Sequence, residues 1–482
     1  MSILSPPGFG RRAMLQCAGV GAAVALLPAA PRAWATAATK APPSGAIHLV
    51  PAPGEAALLG TGHPRTSVWA YNFTVPGPVL RLRQGEPFQA VVRNGLAEGT
   101  TVHWHGIRLP KAMDGVPGLT QQPIPPRGRF PYAFTPPDAG TFWYHPHEDT
   151  ARQMGRGMAG ALIVEEPEPQ GFDRDLLWVL QDWELETNGQ LVPGFDTFMQ
   201  AAMSGRLGNL VTINGAKPTG VPVRAGERIR LRLVNACLAR FMALHFAGHR
   251  VIVVALDGQP VTHPFEPAGG RVLIAPAQRV DLLLATTGEP GERYRVTDDF
   301  YGSRLTYRLV DLAYTNKPGL HAALPAQPLV LPPNPVPKPD LRNPLRHRLT
   351  IVGGMMGGMG GMGMMADGKT AVRPALWGIR GPNGMNDGMA PIFIIPLGRT
   401  ALITLENHTK WWHPMHLHGY SFQVLSRNGV AERYPHLRDT VVLRPGETVD
   451  FAFAADNPGN WMFHCHVIEH QENGLMTVIR VA

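Results

Sequence analysis

Cysteine, charge and long apolar runs are all scarce in this chain of 482 residues. Its three cysteines are Cys17, Cys237 and Cys465, which excludes a disulfide framework as the source of stability. Charged residues make up 17% of the chain, too few for long solvated helices. No apolar run after residue 35 is long enough for a membrane-spanning helix. No nucleic-acid motif accompanies the net charge of +8, which therefore indicates a solvated surface.

Glycine and proline, by contrast, are abundant, with 54 and 48 residues. Both residues are typical of the tight turns that join short strands. A length of 482 residues exceeds what one hydrophobic core usually organises. We therefore predict an all-β protein of two or three domains.

Residues 1–35 have the features of an export signal. Arg11 and Arg12 precede an apolar stretch, which ends in the small-residue step Ala33-Trp34-Ala35. This order predicts a twin-arginine signal peptide over 1–35 and a periplasmic protein with no stable membrane anchor. The alternative is a retained anchor, although the apolar stretch is short for a spanning helix.

Two sequence blocks recur three times along the chain. The first block has Gly and Asn nine positions apart around an alternating strand, and it occurs at 85–94, 226–235 and 398–407. The second block occurs at 126–134, 275–284 and 444–453. Three copies of one plan predict three β-sandwich domains.

We place these domains at 44–168, 173–316 and 345–482. Between the last two, residues 317–344 are rich in proline. Because proline denies ladder hydrogen bonds and favours extended backbone, this stretch is predicted to be a surface linker. The third domain carries a methionine-rich insert over 353–389.

Pairs of histidines separated by one residue occur at matching positions of the first and third copies. Residues two apart on a strand share a face, so both members of a pair can reach one metal cluster. The four pairs are His103/His105, His145/His147, His416/His418 and His464/His466. A single pair is often only a polar strand pair, but four at repeat positions favour metal binding. The middle copy has Leu244 and Phe246 instead, so we predict no metal ligands there.

Cys465 lies between the two histidines of the last pair, and strand alternation points its thiol to the opposite face. It can therefore bind a different metal behind the histidine cluster. A thiolate with two imidazoles is the ligand set of an electron-transfer copper site. His470 and His413 are predicted to complete this set, since His413 lies an odd number of positions from His416.

These motifs resemble the multicopper oxidase family of laccases, ascorbate oxidase and bacterial cuprous oxidases, over nearly the whole mature chain. The resemblance is to the three-domain bacterial laccase or periplasmic cuprous oxidase type. It implies cupredoxin-like Greek-key β-sandwich domains and four copper ions, one type 1, one type 2 and two type 3. It implies a type 1 copper held by His413, Cys465 and His470, and a type 2 copper held by His103 and His416. It assigns to the type 3 pair His105, His145, His147, His418, His464 and His466.

The resemblance implies an enzyme that oxidises Cu(I), phenols or aromatic amines and reduces dioxygen to water. Electrons are expected to enter at the ring edge of His470 or His413 and to cross Cys465, which makes Cys465 a catalytic residue. Asp114 matches the family's acid near the cluster and is predicted to relay protons, although Asp before Gly is also typical of a turn. We expect a monomer.

Two positions depart from the family pattern. Leu475 occupies the axial position of the type 1 site, where cuprous oxidases usually have methionine, and Met476 is the alternative ligand. A non-coordinating leucine raises the reduction potential of such a site. Gln471 stands where the copper-efflux branch tends to have a glutamate for proton delivery, a role that Glu472 or Asp114 would then have to fill.

Thioethers in the methionine-rich run are soft ligands that suit Cu(I). The candidate substrate ligands are Met355, Met356, Met359, Met362, Met364 and Met365. The alternative is a low-complexity insert, since so many glycines disfavour a packed core. Trp411 and Trp412 either stack an aromatic donor or pack in the core.

The alternative function is a non-catalytic periplasmic protein that sequesters copper. It accounts for the methionines but not for the alternating His-Cys-His segment or the eight cluster histidines. A copper nitrite reductase needs fewer imidazoles, and a relative of this fold without copper would lack ligands that are all present here.

Overall fold

The computed structural model describes residues 45–168, 170–321, 329–355, 375–386 and 388–482. The predicted signal peptide and Met356, Met359, Met362, Met364 and Met365 lie outside these residues. The described chain is built mainly from strands and has three short α-helices. None of its helices is long and apolar enough to cross a membrane. The predicted all-β class is confirmed.

The first sandwich contains nine strands. These are β1 (Ile47–Leu49), β2 (Pro51–Ala56), β3 (Thr66–Tyr71), β4 (Gly77–Arg83), β5 (Phe88–Arg93), β6 (His103–His105), β7 (Arg129–Phe134), β8 (Gly140–His145) and β9 (Gly160–Glu165), with helix α1 at Thr150–Gly155 and a 3-10 turn at Lys111–Met113. They form sheets in the orders β1-β5-β7 and β4-β9-β8-β6, and the hairpin β2-β3.

The second sandwich contains eleven strands. These are β10 (Arg174–Trp183), β11 (Leu210–Ile213), β12 (Val221–Val223), β13 (Arg228–Asn235), β14 (Met242–Phe246), β15 (Val251–Leu256), β16 (Gln259–Phe265), β17 (Arg271–Ile274), β18 (Arg279–Ala285), β19 (Arg293–Asp298) and β20 (Tyr307–Tyr314), with helix α2 at Phe198–Ala202 and 3-10 turns at Ala268–Gly270 and Ser303–Leu305. The sheet orders are β11-β10-β13-β18-β15-β16 and β12-β20-β19-β14-β17. Leu244 and Phe246 on β14 are buried in this domain's core.

The third sandwich contains thirteen strands. These are β21 (Leu345–Gly353), β22 (Trp377–Gly381), β23 (Gly384–Met385), β24 (Pro391–Ile395), β25 (Thr400–Asn407), β26 (His413–Leu417), β27 (Phe422–Arg427), β28 (Val430–Ala431), β29 (Leu437–Arg438), β30 (Thr440–Leu443), β31 (Thr448–Ala454), β32 (Gly459–Cys465) and β33 (Met476–Val481), with helix α3 at Ile468–Glu472. One sheet has the order β23-β22-β21-β25-β31-β27-β28, with β29 beside β27, and the other β24-β33-β32-β26-β30.

The two repeated sequence blocks are neighbouring strands in each sandwich. The first block forms β5, β13 and β25, and the second forms β7, β18 and β31. Within each domain the two pair antiparallel, as β5 with β7, β13 with β18, and β25 with β31. Alternating apolar residues on these strands face the cores, which explains why both blocks recur together.

The asparagine that ends each first block has the same structural role in all three copies. Asn94, Asn235 and Asn407 are buried, and each side-chain oxygen accepts from the backbone N–H two residues later. Each side-chain nitrogen donates to two backbone carbonyls. A short side chain that meets the hydrogen-bonding needs of a buried loop fixes the path from this strand to the next one. In the outer domains that next strand carries histidines.

Candidate metal centres

Strand pairing inside the two outer domains aligns their histidines. In the first domain His103 on β6 lies opposite His145 on β8, and in the third domain His416 on β26 lies opposite His464 on β32. The two domains face each other, because the ring of His105 stacks on that of His416 with centroids 3.7 Å apart. The first and third domains therefore contribute histidines to a single cluster.

All eight cluster histidines are buried, and their ligand-atom groups overlap, since His103 lies with His416 and His418 and also with His105 and His145. The ligand nitrogens of His147, His418 and His464 lie within 4.8 Å of one another. The rings of a second trio have centroids 5.0 to 5.7 Å apart, and its members are His105, His145 and His466. The two remaining histidines, His103 and His416, have ring centroids 5.8 Å apart. Among the described residues, no second-domain side chain belongs to any such metal-ligating group.

The free nitrogens of this cluster fit a metal site. Four rings use Nδ1 to donate to backbone carbonyls at 2.8 to 3.0 Å, namely those of His103, His145, His416 and His464. Within the described chain, Nε2 has no hydrogen-bond partner in His103, His145, His147, His416 and His466, and Nδ1 has none in His105. So many unpartnered buried nitrogens are costly without a ligand, and a ring oriented through Nδ1 is typical of a metal-binding histidine.

Burial lowers the pKa of several of these imidazoles and so favours their neutral form, which is the form that binds metals. Desolvation lowers the pKa of His147 to about 3, and His103 nearby contributes in the same direction. The pKa values of His105, His145 and His466 are likewise lowered well below the usual range, mainly by burial.

Asp114 lies directly against this cluster. Its carboxylate oxygens are 3.0 and 3.1 Å from Nδ1 of His418, and one is 3.3 Å from Nδ1 of His103. Burial alone would raise the pKa of Asp114, but the two histidines outweigh burial and lower it well below its usual range. The side chain is thus a buried carboxylate that contacts two rings of the cluster.

Three further ligand atoms converge behind the cluster. Sγ of Cys465 lies 3.5 Å from Nδ1 of His413 and 3.8 Å from Nδ1 of His470, and the two nitrogens are 3.3 Å apart. All three side chains are buried. Nε2 of His413 donates to the Thr409 hydroxyl at 2.8 Å, and Nε2 of His470 to the Met203 carbonyl at 2.7 Å. Both rings therefore present Nδ1 to the thiol.

Register explains why the thiol and its neighbours face different ways. Cys465 lies opposite Met415, whereas His464 lies opposite His416. Opposed residues in an antiparallel pair share a face, and successive residues alternate. Cys465 consequently faces the side of His413, while His464 faces the histidine cluster.

Burial raises the pKa of the Cys465 thiol well above its usual range, because a lone thiolate would lose its solvation there. A cation bound at the same place reverses this preference. The group of Cys465, His413 and His470 is therefore suited to a soft metal ion.

Leu475 is fully buried next to this group. Its N–H donates to the His470 carbonyl, and its carbonyl accepts from the Cys465 N–H, both at 2.9 Å. Met476 lies opposite His464 in the β32–β33 pair, so its side chain is on the other face from Cys465.

The two histidine rings at which electrons are expected to enter are covered by other parts of the chain. His413 and His470 are 0% and 1% exposed. The residues that end helix α2 and follow it cover His470, which bonds to the Met203 carbonyl, and the Trp377 ring lies 4.2 Å from the His470 ring. The Trp377 indole donates to the Ala201 carbonyl at 2.6 Å. This cover comes from the second domain and from β22, and no local sequence pattern indicated it.

Met355, the described member of the methionine run, is exposed, and its N–H donates to the Ala202 carbonyl beside this cover. Trp411 and Trp412 are half-buried and pack against the third domain's core. The centroid of the Trp412 ring also lies 5.4 Å from that of Phe300. These contacts favour core packing over stacking of an aromatic donor.

Helix α3 places further polar residues behind the cluster. Gln471 is buried, and the Glu472 carboxylate accepts from the Ala151 N–H at 3.0 Å. Burial raises the pKa of Glu472 to about 8 and that of Glu469 to about 7. Glu469, which the sequence analysis did not single out, accepts from the Arg206 N–H at 3.1 Å. Its only sequence signal is its place next to His470.

Comparison with known proteins gives one consistent result. Three family models described as multicopper oxidase match residues 55–169, 174–308 and 364–482. A multicopper oxidase of Mycobacterium tuberculosis is 30% identical over 89% of this chain and 85% of its own. Laccase-2 of Fomitopsis schrenkii is 30% identical over 87% of both chains.

Copper resistance protein A of Escherichia coli is 27% identical over 89% of this chain and 91% of its own. Among solved structures, a multicopper oxidase from Pseudomonas thermotolerans superposes with a TM-score of 0.79. It is 35% identical over 91% of this chain and 99% of its own. These similarities span all three sandwiches.

Proposed function

Because the chain belongs to the multicopper oxidase family, we propose that it passes single electrons from a donor through Cys465 to a three-copper cluster, where dioxygen becomes water. Enzymes of this family are oxidoreductases that use dioxygen and contain copper. One observation carries the proposal: Cys465 belongs to the group with His413 and His470, whereas its neighbour His464 belongs to the histidine cluster on the other face of the strand. Four bound copper ions, when present, would supply four one-electron redox centres.

We assign the residues that would hold these ions as the resemblance to the family does, and we compare each assignment with the observed distances. His413, Cys465 and His470 would hold the type 1 copper, since their ligand atoms converge in a buried site. His103 and His416 would hold the type 2 copper. Two trios remain for the type 3 pair, namely His105 with His145 and His466, and His147 with His418 and His464.

Cys465 provides the covalent link between the two groups. Its side chain meets His413 and His470, and its backbone continues directly into His464 on one side and His466 on the other. The Cys465 carbonyl also accepts from Nδ1 of His464 at 2.9 Å. An electron that arrives at the thiolate therefore reaches a cluster imidazole through a few bonds.

We propose that Asp114 relays protons during the reduction of dioxygen. Its carboxylate contacts His418 and His103, and its side chain is buried, with 1% of its surface exposed. A carboxylate in this place could take up a proton transiently and pass it on toward the histidine cluster.

Asp114→Asn is expected to slow turnover by about 100-fold while copper stays bound, because the amide keeps the size of the side chain but cannot carry the proton. The check is steady-state dioxygen consumption beside the anaerobic rate at which a donor bleaches the blue absorption, which should not change. Equal turnover in both proteins would leave Asp114 as a turn residue.

Leu475→Met is expected to lower the reduction potential of the type 1 copper. Leu475 directly precedes Met476, which lies opposite His464, so strand alternation places Leu475 on the face of Cys465. A thioether there could approach the metal and stabilise its oxidised form. A redox titration of the blue absorption measures the change. Met476→Leu is the matched control, since its side chain is on the opposite face, and equal shifts in the two variants would contradict this placement.

For the substrate, we propose both Cu(I) and phenolic or aromatic amine donors. The relatives include a laccase and a copper resistance protein, and the chain's methionine run begins at Met355, beside the covered type 1 group. Thioethers select Cu(I). The cover over His470 means that organic donors must transfer electrons across Met203 or Trp377 rather than touch the ring.

The proposed function is tested by dioxygen consumption of the copper-loaded protein with Cu(I), Fe(II) or a phenol as donor. Turnover with at least one donor is expected, and a deletion of 353–365 should selectively slow Cu(I) oxidation. Bound copper without dioxygen consumption would instead support the alternative, a copper-sequestering protein. We further propose that the protein acts in the periplasm, in copper tolerance, and mass spectrometry of the exported protein would check cleavage near Ala35.

A further inference from the structure

The second domain contributes none of the candidate metal ligands found among the described residues, yet one of its side chains reaches the edge of the histidine cluster. Arg279, at the start of β18, is 0% exposed. Its guanidinium donates to both carboxylate oxygens of Asp439 in the third domain, at 2.9 Å to Oδ1. Its Nε donates to the Thr141 carbonyl of the first domain at 3.1 Å. Arg279 therefore contacts all three domains near one point.

Asp439 extends this contact to two cluster histidines. Its Oδ1 lies 3.3 Å from Nδ1 of His416 and 3.4 Å from Nε2 of His105. Its backbone carbonyl accepts from Nδ1 of His416 at 3.0 Å. Because Arg279 binds both carboxylate oxygens, the second domain fixes how this carboxylate lies against the two rings. Carboxylates that contact metal-binding histidines orient the rings and tune their basicity.

The surrounding backbone is shaped around this pair. Asp257 of the second domain accepts from the N–H of Arg279 at 3.0 Å and from that of Thr440 at 3.2 Å, so it holds both ends of the contact. Gly106 has a φ of +86°, and a Cβ there would lie 2.2 Å from the Arg279 guanidinium and 2.5 Å from the Asp439 carboxylate. The glycine after the first histidine pair is therefore required by this ion pair.

A purely structural role does not account for the placement. A buried ion pair adds little net stability, since the desolvation of both charges offsets their attraction. This pair also lies against two imidazoles from different domains, and not in the middle of an apolar interface.

We propose that Arg279 is a positioning residue for the trinuclear site: by holding Asp439 it sets the orientation of His416 and His105. The second domain is then part of the catalytic assembly and not a passive spacer. This inference rests on the proposed function, because it assumes that His416 and His105 bind copper.

Arg279→Gln tests this inference. Copper binding at the type 2 position is expected to weaken about 10- to 100-fold. The readouts are copper content per chain and the electron paramagnetic resonance signal of the type 2 copper, with the blue absorption as an internal reference that should not change. Arg279→Lys, which keeps the charge and one donor to Asp439, should restore part of the signal. Arg228→Gln is the matched control, since Arg228 forms a similar two-point ion pair with Asp173 at the surface of the same domain.

An unchanged type 2 signal and full copper content in a folded Arg279→Gln protein would overturn the inference. If the single variant does not fold, Arg279→Gln with Asp439→Asn removes both buried charges, and the same criterion then applies to the double variant. An unsubstituted protein that shows no cluster signal contradicts the proposed function itself, which separates that failure from the failure of this inference.

Discussion

Replacing Cys465 by serine is expected to abolish the blue absorption and to stop dioxygen consumption while the histidine cluster still binds copper. The hydroxyl of serine is a hard ligand, so it cannot replace a thiolate at a copper site that cycles between Cu(I) and Cu(II). The cluster should survive, because His464 and His466 face away from the substituted side chain and keep their neighbours from the first domain.

The measurement combines optical absorption, copper content and electron paramagnetic resonance on the same sample. Loss of the blue band with a retained type 2 signal is the predicted result. Cys237→Ser is the matched control, since Cys237 is equally buried but belongs to the core of the second domain. Loss of all copper from the Cys465 variant would show that the two centres are not separate.

Replacing His147 by glutamine is expected to disable the histidine cluster and to leave the type 1 site intact. The variant should keep the blue absorption, and a donor should still bleach it under anaerobic conditions. Steady-state dioxygen consumption should fall to background, because one member of the trio with His418 and His464 is lost. The ring neighbours of His147 in the described chain are cluster histidines, among them His418 and His464, so the group around Cys465 should be undisturbed.

His245→Gln is the control for this variant. His245 lies on β14, the strand of the second domain that corresponds to the histidine-bearing strands of the other two, and its side chain is exposed. Full dioxygen consumption is expected of it. A His147 variant that still turns over at a similar rate would contradict the assignment of this histidine to the site of dioxygen reduction.

Repetition is the reason that so much of this fold is predictable from the sequence. Each repeated block carries the alternation of a strand, and the shared Asn94, Asn235 and Asn407 fix the loop that leads to the next strand. The histidine pairs are then placed by local rules, since period-two alternation depends only on neighbours in the chain. The all-β class and the family that the histidine and cysteine motifs resemble are both confirmed.

The features that sequence reasoning missed are contacts between distant segments. Arg279 and Asp439 are 160 residues apart, and neither lies in a pattern that indicates the other. Part of the cover over His470 comes from Met203, which follows helix α2 and is 267 residues away in the chain. Such contacts depend on how the domains pack against one another, which local propensity does not encode.

The choice between Leu475 and Met476 as the axial residue also depends on contacts that the local sequence does not give. The spacing from Cys465 leaves the two adjacent residues open, because a helix and a turn intervene after the cysteine. The β32–β33 register separates them, since Met476 lies opposite His464 and so faces the cluster side. Whether Leu475 takes the axial position stays a prediction that the redox titration tests.

The most direct test of the central claim is electron paramagnetic resonance of the copper-loaded, unsubstituted protein with a copper count on the same sample. We predict four copper ions per chain, of which two give an electron paramagnetic resonance signal. One signal should have the narrow hyperfine splitting of a thiolate site, and the other the wide splitting of a nitrogen-ligated type 2 site. A single class of copper bound by the thiolate of Cys465 together with the imidazoles of His464 and His466 would contradict this prediction.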